Sequence, residues 1–112
     1  MKWQIFNFNN GYNYKNTISN GCFFNIAARL GKFTANNTYI DAAIKTWDWS
    51  VDQGLIFPNE TYRIIDGIDV NTCKPAAENQ ELQWSYNVGV YLYGAAAMWN
   101  IVSASISLLS SY

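Results

Sequence analysis

Apolar positions recur at helical spacing in three stretches of the chain. Cys22, Phe23, Ile26, Ala27, Leu30 and Phe33 fall on one stripe, which predicts a first helix over 19–34, broken by Asn36 and Asn37. Ile40, Ala43, Ile44, Trp47 and Val51 form a second stripe and predict a helix over 38–53. Thr38-x-x-Asp41 has capping-box spacing, in which a hydroxyl accepts from a free N–H of the first turn and the acid reaches back. Gly54 stands where a left-handed residue ends a helix. The two helices and their Asn-rich turn make an αα-hairpin. Trp84, Val88, Tyr91, Leu92, Ala95, Ala96, Trp99 and Val102 predict a third helix over about 82–102. Its small residues, from Gly89 to Ala97, imply close packing against neighbours.

The intervening segments lack this period. Pro58 and Asn59 mark a turn between Leu55-Ile56-Phe57 and Tyr62-Arg63-Ile64-Ile65, a short β-hairpin or an irregular excursion. Asp66-Gly67-Ile68-Asp69 reads as a tight turn, and 71–80 as a loop. Residues 1–18 read as an extended segment and a loop. Within Trp3–Gly21, rings (Trp3, Phe6, Phe8, Tyr12, Tyr14) alternate with amides, and Lys15 is the single charge. Rings stack on the apolar faces of sugars, and amides both donate to and accept from hydroxyls. An Asn-rich loop built on Asx-turns explains the same composition without a ligand.

The 112 residues suffice for one small domain, and a 50% hydrophobic, 17% aromatic composition can fill a core. Charged residues are only 13%, the formal net charge is -1, and the seven Lys and Arg are scattered. Nucleic acid is therefore excluded as a partner, since no basic patch exists to neutralise phosphates. The chain has no His, which removes the common zinc sites and every His-based catalytic dyad or triad. No signal peptide is visible, because Met1-Lys2 runs directly into Trp-Gln-Ile-Phe-Asn. After Glu81 no charge occurs down to Tyr112, so residues 83–109 are long enough to span a membrane. Asn87, Asn100 and five serines after position 102 dilute that stretch and favour a buried helix.

Four segments, in this order and spacing, resemble one family. They are WQIFNFNNGYNYKNTISNG, FFNIAARLGKFTANNTYIDAAIKTWDW, IIDGIDVNTC and LQWSYNVGVYLYGAAAMWN, together covering about residues 3–100. They resemble glycoside hydrolase family 76, the endo-α-1,6-mannanases, and most of all its fungal cell-wall branch. The resemblance implies an all-α fold, an (α/α)6 barrel of six helical hairpins. That barrel is much larger than this chain, which would be a fragment with about three helices, loops and a short β-hairpin. Residues 1–100 would be a partial catalytic domain and 101–112 a divergent C-terminal tail.

The resemblance also implies the chemistry. A retaining mechanism would use two consecutive aspartates, one as nucleophile and one as acid/base, with no metal or organic cofactor. That pair lies upstream of the WQIF-like segment in the family, and this chain contains no Asp-Asp. Met1 therefore reads as an internal start, and no residue here is assigned a catalytic role. The ligand implied is α-1,6-mannan or a mannosylated glycan. The location implied is the cell surface or cell wall, with a membrane involved only through anchoring of the full-length relative.

Substrate-binding candidates follow from both lines. Lys15, Asn16 and Asn20 lie in the family-like YKNTISNG, at a loop that leads into a helix at the cleft; the alternative is a surface Lys and capping Asn residues. Asp66 and Gly67, with Asp69 nearby, offer a carboxylate turn for mannose hydroxyls, or plain turn chemistry. Trp84, Tyr86 and Asn87 combine a stacking platform with an amide at a helix start, or else a core Trp and a cap. Asn36-Asn37-Thr38 and Asn59-Glu60-Thr61 are glycosylation sequons suited to a secreted surface. Cys22 and Cys73 have the option of pairing in that setting. Two further readings remain open at this stage: a non-catalytic glycan-binding remnant, and a small single-span membrane protein.

Overall fold

The computed structural model of the chain describes residues 1–76 and 80–111. Its elements run β1 (Tyr14–Asn16), α1 (Thr17–Thr34), α2 (Asn37–Asp52), β2 (Ile56–Phe57), a 3-10 turn (Pro58–Glu60), β3 (Arg63–Ile64), β4 (Gly67–Asp69) and α3 (Ser85–Ser110). The predicted all-α character and three helices are present, α1 beginning two residues early and α3 running on to Ser110.

α1 and α2 form the expected helical hairpin, but the joint is built differently. α1 stops where Ala35 turns left-handed, at φ 53°. Asn36, rather than Thr38, is the N-cap of α2, its side chain accepting from the Thr38 N–H at 2.9 Å. The capping box is therefore corrected: an Asn directly before the helix meets the first free donors sooner than Thr38, already inside the helix. At the other end Gly54 adopts φ +73° and donates to the Val51 carbonyl, closing α2 as the sequence predicts.

α3 lies against α1 through its first half. Phe24 and Tyr91 stack with centroids 5.3 Å apart, and Trp47 of α2 packs on both. Gly94 makes this approach possible, because a Cβ there would lie 2.6 Å from the Phe24 ring. Leu55, Ile56, Ile64, Ile65 and Ile68 complete the core from below. Ile56, Ile64 and Ile68 come from two small antiparallel ribbons, and Leu55 and Ile65 flank the first of these. β2 pairs with β3 to form the short hairpin. β4 pairs with β1 in the register Tyr14↔Asp69, Lys15↔Ile68, Asn16↔Gly67. Asp66-Gly67-Ile68-Asp69 is thus not a tight turn. Gly67–Asp69 is a strand, because β1 supplies the partner backbone that a local reading cannot see.

The apolar stripe of α1 and its buried face are largely different faces of the helix. Thr17, Asn20, Gly21, Phe24, Asn25, Ala27, Ala28 and Gly31 are buried, whereas Cys22, Phe23, Ile26, Leu30 and Phe33 face outward. Small residues let α2 and α3 approach closely on the inner side, leaving the large apolar stripe uncovered; Phe33 is 79% exposed. Cys22 and Cys73 are both exposed and free. Cys22 sits on the outward face of α1, and the Cys73 N–H donates to the Asp69 carbonyl at 2.9 Å. α3 is the one described helix long and apolar enough to cross a membrane, with a mean hydropathy of 1.4.

Candidate functional site

The strand pairing of β1 with β4 brings distant candidates together at Asp66. This residue precedes β4, and its own backbone is fixed on both sides. Its carbonyl accepts from the Thr17 N–H at 2.8 Å, and its N–H donates to the Gln80 carbonyl at 3.0 Å. Its carboxylate then accepts from three side chains. The Tyr14 hydroxyl donates to Oδ2. The Tyr86 hydroxyl and the Asn87 amide donate to Oδ1 at 3.2 and 3.1 Å. A carboxylate offers about four lone-pair positions, so the cluster is close to saturated on the protein side.

Each member is placed by its element. Tyr14 and Asn16 share one face of β1, since side chains alternate along a strand. Gly67 sits across from Asn16, and its lack of a side chain admits the Tyr14 ring: a Cβ there would fall 2.3 Å from the Tyr14 Cε2. Asn87 lies in the first turn of α3, fully buried, so its amide is rigidly aimed. Tyr86 is half-exposed and stacks on Trp84, with rings 15° from parallel and centroids 6.5 Å apart. The carbonyl oxygens of the Asn16 and Asn87 side chains are buried and meet no donor among the described residues.

The electrostatics keep both phenols as donors. Burial, and then the bond to Asp66, push the Tyr14 hydroxyl far above the ordinary tyrosine range. Tyr86 is raised too, by burial first and by the Asp66 charge after it. Tyr14 and Tyr86 therefore remain protonated at any pH near neutrality, and they present hydroxyls beside an acceptor carboxylate.

Lys15, Asn20 and Asp69 are not part of this cluster. Lys15 points from the other face of β1, with its Nζ over the Trp49 ring at 5.3 Å. Asn20 is buried beneath the chain start and donates to the Asn16 carbonyl at 2.8 Å. Asp69 uses Oδ1 to accept from the Asn71 N–H at 2.8 Å and the Thr72 N–H at 3.3 Å, and so holds its own turn. Asn36 and Asn59, the sequon residues, are exposed. Tyr14 is the site residue that sequence reasoning misses. It appears there only as one ring among five, and its partner Asp66 lies 52 residues away. The sole local signal is its position two residues before Asn16.

A helical scaffold with a carboxylate-centred polar cluster at one edge is the class of arrangement these elements define. Comparison makes the assignment specific. The sequence model of glycosyl hydrolase family 76 matches residues 1–106, and the chain belongs to that family. It is 44% identical over 105 residues to the mannan endo-1,6-alpha-mannosidase DFG5 of Saccharomyces cerevisiae, covering 94% of this chain and 22% of that one. It is 42% identical over 112 residues to the protein of the same name from Candida albicans, covering 96% and 24%. The structure also matches the crystal structure of Dfg5 from Chaetomium thermophilum in complex with glucosamine. That match has a TM-score of 0.80 and 46% identity, over 89% of this chain and 24% of that chain. The chain thus spans about a quarter of the length of the curated relatives it matches.

Proposed function

We propose that this chain forms one wall of the glycan site of a mannan endo-1,6-α-mannosidase, acting on α-1,6-mannan by hydrolysis or transglycosylation at the cell surface. The observation that carries this reading is the meeting of Tyr14, Asp66, Tyr86 and Asn87 at one carboxylate, on a scaffold that resembles Dfg5. In this reading Tyr86 and Trp84 present a ring platform to a mannose unit. Asp66 orients the Tyr86 hydroxyl and accepts from a sugar hydroxyl at its remaining position. Asn87 and Gly67 act as positioning residues, and Asn16 and Asn20 brace the start of α1 below them. Lys15 serves the same glycan from the opposite face of β1. N-glycans at the exposed Asn36 and Asn59 fit a secreted surface.

The cluster binds and does not cleave. Asp66 is already engaged by three side-chain donors across both of its oxygens, which suits a binding group better than a free acid or nucleophile. Glycosidases flank the scissile bond with two carboxyl groups, and Asp69 is committed to its own turn. The family's Asp-Asp pair does not occur in this sequence. Incubating the purified chain with α-1,6-mannan and measuring reducing ends is expected to give no turnover, while saturation-transfer NMR shows contact with α-1,6-mannobiose that Tyr86→Phe weakens. Turnover above blank that Asp66→Asn or Asp69→Asn abolishes overturns the binding-only role. Absence of any contact with the disaccharide overturns the glycan reading.

A further inference from the structure

The loop before β1 builds a second polar hollow that the Asp66 cluster does not use. Successive turns shape it: the Asn9 N–H donates to the Phe6 carbonyl, Tyr12 to Asn9, and Tyr14 to Gly11, at 3.1 to 3.2 Å. Gly11 takes φ +90° and lies against the Trp3 ring, where a Cβ would fall 2.7 Å from the Trp3 Cδ1. The Val70 N–H donates to the Asn13 carbonyl at 2.8 Å and ties the loop to the end of β4. Lys2 sits over the Tyr12 ring at 3.7 Å and covers its outer side. These contacts fix the course of the loop. Among the described residues they leave the side-chain amides of Asn7, Asn10 and Asn13 without a hydrogen-bond partner.

Those three amides, with Tyr12, Asp69 and Gln80, line a depression of about 310 Å³. That equals roughly ten water volumes, room for a single sugar ring. Its walls select by chemistry. Amides both donate and accept, as a hydroxyl-rich ligand requires. Asp69 is in the lining and no Lys or Arg is, the Lys2 ammonium being engaged on the Tyr12 ring, so the lining favours a neutral ligand over a phosphate or sulfate. The apolar hollows elsewhere, such as the one lined by Phe24, Ile44, Trp47, Ala95 and Met98, lack this character. Tyr14 lines the polar depression and also donates to Asp66, so the two sites share one side chain.

We propose that this depression is an outer subsite for a neutral pyranose unit, taking the continuation of a hexose chain whose inner units lie at the Asp66 cluster. The subsite rests on the glycan reading of that cluster, and oligosaccharide length separates the two. Calorimetric titration of the 112-residue chain compares α-1,6-mannobiose with α-1,6-mannotetraose. The tetrasaccharide is expected to bind about tenfold tighter, which one or two added hydrogen bonds of ordinary strength supply. Asn13→Ala and, separately, the shape-preserving Asn10→Asp are expected to remove that advantage and leave the disaccharide affinity unchanged. Equal binding of the two sugars by the parent chain overturns the subsite alone. So does a length advantage that survives both substitutions. Failure of the parent to bind either sugar overturns the subsite and the glycan reading together.

Discussion

Gly67→Ala tests the joint between the two ends of the candidate site. The added methyl would lie 2.3 Å from the Tyr14 Cε2, 2.5 Å from Cζ and 2.6 Å from the hydroxyl oxygen. A phenol ring is rigid, so it cannot yield by a small bend and must swing away from β4, breaking the Tyr14–Asp66 bond. Overpacking of this kind costs about 1–3 kcal/mol. A hydrogen bond to a charged group contributes about 1.5–3 kcal/mol, less here because Tyr14 is only half-buried. Together these give an expected loss of about 2–4 kcal/mol in urea unfolding followed by tryptophan fluorescence. The distinguishing measurement is a double-mutant cycle with Tyr14→Phe. In the parent, Tyr14→Phe removes the bond and costs about 1 kcal/mol or more; in the Gly67→Ala background the bond is already lost and the same change costs nearly nothing. Ultraviolet titration reports the same event, since the Tyr14 phenol falls back toward the ordinary tyrosine value once it leaves Asp66. A Gly67→Ala protein within about 0.5 kcal/mol of the parent, or equal costs for Tyr14→Phe in both backgrounds, refutes the reasoning.

The remaining predictions concern the core and the thiols. Burial pushes the Tyr91 phenol up to about 12 from 10.0, the hydrogen bond with Ser50 opposing part of the shift. The folded state therefore favours the neutral phenol, and this contribution, about 2–3 kcal/mol, is complete below pH 10 and is lost as pH rises from about 10 to about 12. Tyr91→Phe should remove its own share of that alkaline loss, the raised Tyr14 and Tyr86 phenols keeping theirs, and an unchanged pH dependence of the urea midpoint counts against the assignment. Cys22 and Cys73 are exposed and free, so a thiol reagent should titrate two equivalents in the native chain without reductant. A native mass lower by two protons, with no reactive thiol, contradicts the fold of the β4 turn.

Local signals transfer well from this sequence, and pairings across distance do not. The left-handed Gly54, the hairpin over 55–65 and the three helical segments all depend on residues within a few positions of one another, and all are present. β4 was unreadable because a three-residue strand has no period of its own, and its partner lies more than 50 residues upstream. The Asp66 cluster was half legible for the same reason. Asp66, Gly67, Tyr86 and Asn87 stand in quotable motifs, while Tyr14 acquires its role only through the β1–β4 register.

α1 shows that an apolar stripe and a buried face need not coincide. Periodicity finds the wider, greasier stripe, but burial here follows closeness of approach. Gly21 and Gly31 face Tyr91 and Ile40, and Ala28 and Ala43 are wholly buried where α1 meets α2 and α3. Phe24 is the one large side chain admitted to that face, and it is admitted because Gly94 stands opposite. The two faces of α1 thus encode different distances. A small-residue face permits helix axes to close in, and a large-residue face packs only across a wider gap. Reading residue size together with period, rather than hydrophobicity alone, recovers the inner face from the sequence: Gly21, Ala28 and Gly31 recur at a spacing of seven and three, with Phe24 between them. It also explains why Asn25 is buried on this face: the close approach of α3 brings the Val90 carbonyl within reach of its amide, while the buried Asn20 is satisfied by the Asn16 carbonyl one turn back in its own chain.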